Sequence, residues 1–174
     1  MKKAIYIFIF FISQYFFGQQ SNQLWKGYFS YNEIVDVESS TNAVFASTQN
    51  ALFSQVVASS NLNVYNSITG LKPDVITTIH HSDAFNKTFV GNNNGLILIQ
   101  NADGSVTTKV DVIEEVPVPP NKKKINDFFE FNGRLYIATD YGISVIDIAT
   151  SEFISTYFIG TSGEETEVLQ TTVF

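Results

Sequence analysis

The stretch RLYIATDYGIS at residues 134–144 recurs earlier in the chain with the same pattern of residue types, as AVFASTQNALF at 43–53 and KTFVGNNNGLI at 87–97. In each copy, a segment rich in β-branched and aromatic residues leads into a short turn and a second apolar segment. The aromatic residue at the third position recurs at intervals of 44 and 47 residues. A period of this length, built from strand, tight turn and strand, predicts an all-β array of the β-propeller type.

Each copy extends into four short strands separated by turn residues. The predicted four-stranded antiparallel blades cover residues 34–66, 75–111 and 125–158. Residues 24–28 read as an outer strand without a blade of its own, and a fourth unit begins at about 167. Closed propellers usually have about four to eight blades. The sequence therefore predicts a partial β-propeller over 24–174, with about three blades and the truncated start of a fourth.

The turns between the second and third strands support this division into blades. Gly95 and Gly142 stand where a tight hairpin needs a positive φ, whereas Ala51 stands there in the first copy and is predicted to fit poorly. The first hairpin of the second unit holds about two extra residues, and this loop is predicted to contain His80 and His81.

Composition excludes several classes of function. The formal net charge is −7 and the pI is about 4.7, which argues against binding to nucleic acid. There is no cysteine, so disulfides, thiolate zinc sites and cysteine nucleophiles are excluded. No cofactor is predicted, because no other motif in the chain supplies a set of ligands.

The first residues have the pattern of a secretory signal peptide. Lys2 and Lys3 precede an apolar run, and Gly18 is a small residue at the expected cleavage point. The apolar run is shorter than the roughly 20 residues that span a bilayer, so a membrane helix is the less favoured interpretation. We predict a signal peptide at 1–18, a linker at 19–23 and an exported protein with no direct membrane anchor in this segment, located in the periplasm or at the outer cell surface.

The repeat resembles the two-component-regulator propeller repeat. Phe89-Val90-Gly91-Asn92 and Tyr136-Ile137-Ala138-Thr139 match its aromatic block, and Gly95-Leu96 and Gly142-Ile143 match its closing block. The end of the signal peptide and the opening 25–31 are also similar to the start of PorZ-type proteins. This resemblance implies an exported surface propeller of Bacteroidota that assists type IX secretion. Its expected partners are other secretion-machinery proteins, anionic lipopolysaccharide and the remainder of its own propeller.

Few residues are candidates for chemistry. Asp36, Thr78 and Asp127 stand at equivalent points of the innermost strands, where they form either a polar ring facing a ligand or cation in the channel, or hydrogen bonds at the strand ends. Of these two readings we favour the strand-end hydrogen bonds. Lys122, Lys123 and Lys124 form a solvated loop or, alternatively, a patch for an anionic ligand. Adjacent histidines on a strand point to opposite faces, so His80 and His81 are not predicted to share a metal ion.

Three functions remain open from the sequence. The first is a non-enzymatic binding or assembly module that assists type IX secretion and cargo processing. The second is the periplasmic glycan-sensing propeller of a hybrid two-component regulator. The third is an exported hydrolase or lyase, for which the sequence does not supply the clustered acid, base or metal residues.

Overall fold

The protein is represented by a computed structural model that describes residues 31–72 and 74–172. Within these described ranges, twelve β-strands form three four-stranded antiparallel sheets, which confirms the prediction of an all-β, partial β-propeller. The strands are β1 Asp36–Ser39, β2 Ala43–Thr48, β3 Ala51–Val56, β4 Leu62–Tyr65, β5 Ile76–Ser82, β6 Lys87–Asn92, β7 Ile97–Gln100, β8 Val106–Lys109, β9 Ile125–Phe131, β10 Arg134–Thr139, β11 Gly142–Asp147 and β12 Phe153–Tyr157. The predicted signal peptide, linker and outer strand at 24–28 lie outside the described residues.

Each sheet is a simple meander in which strands that are consecutive in sequence are neighbours, as in a propeller blade. The first blade contains β1 to β4, the second β5 to β8 and the third β9 to β12. The repeat aromatics Phe45, Phe89 and Tyr136 occupy the second strand of their blades and pair with the first and third strands. The repeat in the sequence is therefore a repeat in strand register.

Tight turns follow the predicted chemistry in the second and third blades. Gly95 has φ of +89° and Gly142 has φ of +152°. Asn132 and Gly133 both have positive φ, as a two-residue hairpin turn between β9 and β10 requires. The expectation that Ala51 fits poorly was wrong, because its φ is not positive and its side chain is fully buried.

The core lies between the blades. Val90 packs in a cluster with Phe45 and Leu52 of the first blade, whereas the adjacent Phe89 packs with Phe128 and Leu135 of the third. Consecutive residues of a strand point to opposite faces, and both Val90 and Phe89 are fully buried. The second blade is thus covered on both faces by its neighbours.

Predicted segments in the first two blades differ from the structure. The histidines were expected in a loop, but β5 continues through His80 and His81 to Ser82 and pairs with β6 over this length. β1 begins at Asp36, two residues after the predicted start.

Pro120–Lys122 forms one turn of 3-10 helix in the connection between the second and third blades. Among the residues that the structure describes, no helix is long and apolar enough to cross a membrane.

The segment after the third blade runs alongside the third blade, as a fourth unit would. The N–H of Val168 donates to the carbonyl of Thr139 at 2.9 Å. In the same way, the N–H of Ile76 at the start of the second blade donates to the carbonyl of Gln49 in the first, also at 2.9 Å. Val168 and Ile76 thus each donate a backbone hydrogen bond to the blade that precedes them in sequence. A fourth unit that begins at about 167 stays a prediction.

Candidate functional site

The predicted equivalence of Asp36, Thr78 and Asp127 is visible in the strand register. Asp36 pairs with Ser47, Thr78 with Gly91 and Asp127 with Ala138. Each of these partners lies two residues after the repeat aromatic of its blade. The three residues thus occupy the same position on the innermost strands β1, β5 and β9.

Asp36 connects the first blade to the second. Its Oδ2 accepts a hydrogen bond from the Thr78 hydroxyl at 3.0 Å and another from the Ile79 N–H at 2.8 Å. Its Oδ1 accepts the N–H of Val37 at 2.8 Å. Hydrogen bonds that backbone amides donate to charged acceptors are among the stronger ones in proteins. The Asp36 side chain therefore joins two blades, which agrees with strand-end hydrogen bonding.

Asp127 makes the equivalent contact from the third blade to the following segment, accepting the Thr171 N–H at 3.1 Å. Burial raises the pKa of Asp127, and the negative charge of Asp36 adds to the effect. Asn126 beside it donates to the Asp140 carboxylate at 2.8 Å and to the Val168 carbonyl at 3.0 Å. The inner strands thus use side-chain polar groups to fix the next element of the array.

A cavity of about 260 Å³ lies among these residues. It is lined by Val35, Asp36, Thr77, Thr78, Asn126, Asp127, Leu169 and Gln170. Its polar lining atoms are mainly oxygens and side-chain amides, which suit hydroxyl groups or a hard cation. Within the part of the chain that the structure describes, however, no group of three His, Asp or Glu residues is arranged to hold a metal ion. Contact with a ligand at Asp36, Thr78 and Asp127 stays a prediction.

The structure does not bring the three predicted lysines together as an anion patch. Lys122 forms an ion pair with Glu165 at 2.7 Å. Lys123 is buried, and its ammonium group donates to the backbone carbonyls of Ile113 and Glu115. Lys124 is exposed. The prediction that these lysines are solvated was wrong for Lys123, because the preceding segment, with the carbonyls of Ile113 and Glu115, covers its side chain.

The histidines form contacts that the sequence reasoning missed. His80 Nδ1 lies 2.8 Å from Oε1 of Glu38 on β1, and His80 Nε2 lies 3.2 Å from Oε2 of Glu130 on β9. His81 turns away, stacks on Phe45 with ring centroids 4.2 Å apart, and contacts the Thr88 hydroxyl at 2.9 Å. The opposite directions of the two rings agree with the predicted alternation on a strand. The sequence repeat could have indicated the contact between Glu38 and His80, because these residues each lie two positions after the equivalent residues Asp36 and Thr78.

A second cavity, of about 450 Å³, separates the first blade from the loops of the second. Phe45 and His81 line it, and Asp83 accepts hydrogen bonds there from the N–H and hydroxyl of Thr41 at 3.0 and 2.9 Å. Four further lining side chains form no hydrogen bond with any other residue that the structure describes: Asn42, Tyr65, Asn86 and Gln100. Small molecules bind preferentially in concave surfaces, and most residues that line this one are polar. We refer to this cavity as the inter-blade cleft.

Structural comparison shows that several solved bacterial proteins share this fold. The structure matches that of PorZ, described as an essential bacterial surface component of the type-IX secretion system of Porphyromonas gingivalis, with a TM-score of 0.68 and 21% identity, over 76% of this chain and 18% of that one. Extracellular domains assigned to two hybrid two-component systems of B. thetaiotaomicron also match. For BT3049 the TM-score is 0.56 with 19% identity, over 71% of this chain and 16% of that one. For BT4673 it is 0.54 with 16% identity, over 70% and 16%.

This chain spans less than a fifth of each of these solved chains. No curated protein matches it in sequence. A family model described as "TSS9, PorZ, N-terminal beta-propeller domain" matches residues 44–174, which is well over half of the chain and includes all of the second and third blades. The chain therefore belongs to the PorZ N-terminal β-propeller family.

Proposed function

We propose that this chain is part of a non-enzymatic, exported β-propeller that acts as a binding and assembly module in type IX protein secretion and cargo processing. The observation that carries the proposal is the family match over 44–174, together with the likeness of its blades to those of PorZ. PorZ is described as a surface component of that secretion system. We propose that the protein lies in the periplasm or at the outer cell surface of a member of the Bacteroidota, and the description of PorZ as a surface component supports the second location.

The contacts of the acidic and basic side chains support a binding role over catalysis. Asp36 and Asp127 accept hydrogen bonds from the backbone of the next element, and His80 is held between two carboxylates. A hydrolase would need such groups directed at a substrate, with a nucleophile or activated water between them. Here they hold blades together.

We expect other proteins of the secretion machinery to be the main partners. Anionic lipopolysaccharide is a second candidate ligand, but two of the three lysines expected to bind it have intramolecular partners. Lys122 is paired with Glu165, and Lys123 is bonded to backbone carbonyls. An anionic glycan would therefore need other groups than this loop.

The inter-blade cleft favours a second function, the sensing of a glycan fragment by an extracellular propeller. Within the described part of the chain, the side chains of Asn42, Asn86, Gln100 and Tyr65 have no hydrogen-bond partner and are suited to sugar hydroxyls. The stacked rings of Phe45 and His81 supply a flat floor. The two similar extracellular domains from B. thetaiotaomicron belong to proteins described as hybrid two-component systems.

Deletion of the gene in its own host distinguishes the two functions. If the protein assists secretion, type IX cargo will accumulate inside the cell envelope with its sorting domain uncleaved, and the wild-type gene will restore processing. If it is a sensor, cargo processing will be normal and a transcriptional response to a glycan will be lost. Normal cargo processing in the deletion strain would overturn the proposed secretion role.

A further inference from the structure

His80 lies between carboxylates from the two neighbouring blades. The side chains of Glu38, His80 and Glu130 are 24%, 16% and 23% exposed, so all three are largely removed from water. Glu38 is held in place by its second oxygen, which accepts the backbone N–H of His81 at 2.6 Å. The contact to Glu38 at 2.8 Å is shorter than the contact to Glu130 at 3.2 Å. The three side chains connect the innermost strands β1, β5 and β9.

We propose that Glu38, His80 and Glu130 form a protonation-dependent bridge that fastens the third blade to the second when the imidazole is charged and releases Glu130 when it is neutral. An ionised carboxylate only accepts hydrogen bonds, whereas an imidazole donates through both nitrogens only when it is protonated. In the neutral ring, one nitrogen carries no proton, so its lone pair faces a carboxylate that can only accept, and that contact is no longer a hydrogen bond. The proton is retained on Nδ1, beside the shorter and better anchored contact to Glu38, so the contact with Glu130 is the one that is lost.

The surrounding charges favour the protonated ring. Burial has the largest single influence on the pKa of His80 and lowers it, but the hydrogen bonds and charges of Glu38 and then Glu130 outweigh burial and raise it. Burial lowers the pKa of the adjacent His81. Among the described residues, the titratable and charged groups around the bridge are Glu38 and Asp36 from β1, Glu130 and Asp127 from β9, His81 from β5 itself, Asp83 directly after β5, and Lys87 from β6, whose ammonium is bonded to the carbonyls of Ile148 and Ala149.

The direction of the pH effect follows from the raised pKa. A group whose pKa is higher in the folded state than in the unfolded state binds its proton more tightly when folded. The bridge therefore contributes fully below the usual histidine pKa of about 6.5 and is lost as the pH rises through the raised pKa of His80. A divalent cation is not the natural occupant, because the two carboxylates approach opposite ring nitrogens and cannot converge on one ion.

The chain has two histidines, so their ring signals can be followed separately by NMR in the full chain across pH 5 to 9. We expect the ring of His80 to titrate at a higher pH than that of His81, with His80→Gln serving to assign the signals. Amide exchange of β9, corrected for its intrinsic pH dependence, should increase several-fold as His80 loses its proton, and this step should be absent in His80→Gln. The proposal would be overturned if His80 titrated at or below the midpoint pH of His81. It would also be overturned if the exchange rate of β9 did not change at the midpoint pH of His80.

Glu130→Gln tests the same bridge from the other side. This variant removes one charge with little change in shape, so the midpoint of His80 should move to lower pH and the exchange step should move with it. Glu114→Gln is the matched control, because Glu114 is exposed on the connection between blades and should leave both unchanged. An unchanged His80 midpoint in Glu130→Gln refutes the bridge. If that variant does not fold, the order of the two wild-type titrations still decides.

Discussion

Replacement of Phe89 by alanine is expected to destabilise the protein by about 3–5 kcal/mol. The Phe89 side chain is fully buried between the second and third blades, and its ring centroid lies 6.4 Å from that of Phe128. Burial of a phenylalanine removes about 150–250 Å² from water, equivalent to about 4–6 kcal/mol at about 25 cal/mol per Å². Alanine retains only the first carbon, and the rigid strands on either side limit collapse of the cavity. The loss is a large share of the roughly 5–15 kcal/mol that stabilises a typical domain.

The assay is urea unfolding of the full chain, followed by circular dichroism and by tyrosine fluorescence. Phe131→Ala is the matched control, because Phe131 lies on β9 and is 40% exposed. The control should lose clearly less stability than Phe89→Ala, because a large part of the Phe131 ring already lies in water. Equal losses in the two variants would show that Phe89 is not packed between two blades, and the interface that we describe would be wrong.

Two other substitutions test local features. Lys123→Ala should lower the free energy of unfolding by about 2–3 kcal/mol, because the buried ammonium donates to two backbone carbonyls. The control Lys124→Ala removes an exposed side chain and should change it by no more than about 0.5 kcal/mol. Equal shifts of the thermal midpoint in the two variants would contradict the burial of Lys123. Asp83→Asn should reduce the loss in the free energy of unfolding as the pH falls in the acid range. Backbone and hydroxyl hydrogen bonds from Thr41 lower the pKa of Asp83, so the carboxylate stabilises the fold above pH 3.8, and this stabilisation is lost as the pH falls through the lowered pKa. If the urea midpoint of the variant depends on acid pH as that of the wild type does, the result would count against this contact.

The third blade was the best predicted part of the fold, for physical reasons. The pattern of this blade predicts strands at 125–131, 134–139 and 142–147, and β9, β10 and β11 have these bounds. Asn132-Gly133 and Gly142 impose turns at fixed points, and alternating apolar residues fill the strands between them. The first strand of the second blade was predicted too short. Its last residues are polar, and the groups that stabilise them there lie on other blades, about 40 to 50 positions away in sequence.

The candidate site was predictable in position but not in its contacts. The repeat alone aligns Asp36, Thr78 and Asp127, and the register agrees. Which groups these side chains bond depends on how one blade is offset against the next, and a repeat within single blades carries no information about that offset. The same reason explains why the partners of His80 were missed. Lys123 was expected in solvent for a different reason: its partners, the carbonyls of Ile113 and Glu115, lie in an irregular connection to which the repeat does not apply.

The joining of blades by inner-strand carboxylates is tested most directly by amide exchange at Ile79 in the full chain, with Asp36→Ala compared to wild type. A hydrogen bond to a charged group contributes about 1.5–3 kcal/mol, which corresponds to about a 10- to 150-fold faster exchange when it is removed. The amide of Ile99, on β7 and paired within the second blade, serves as the internal reference. We predict that Ile79 accelerates by this factor while Ile99 does not. An Ile79 rate that is unchanged, or that rises only in step with Ile99, would contradict the inter-blade contact.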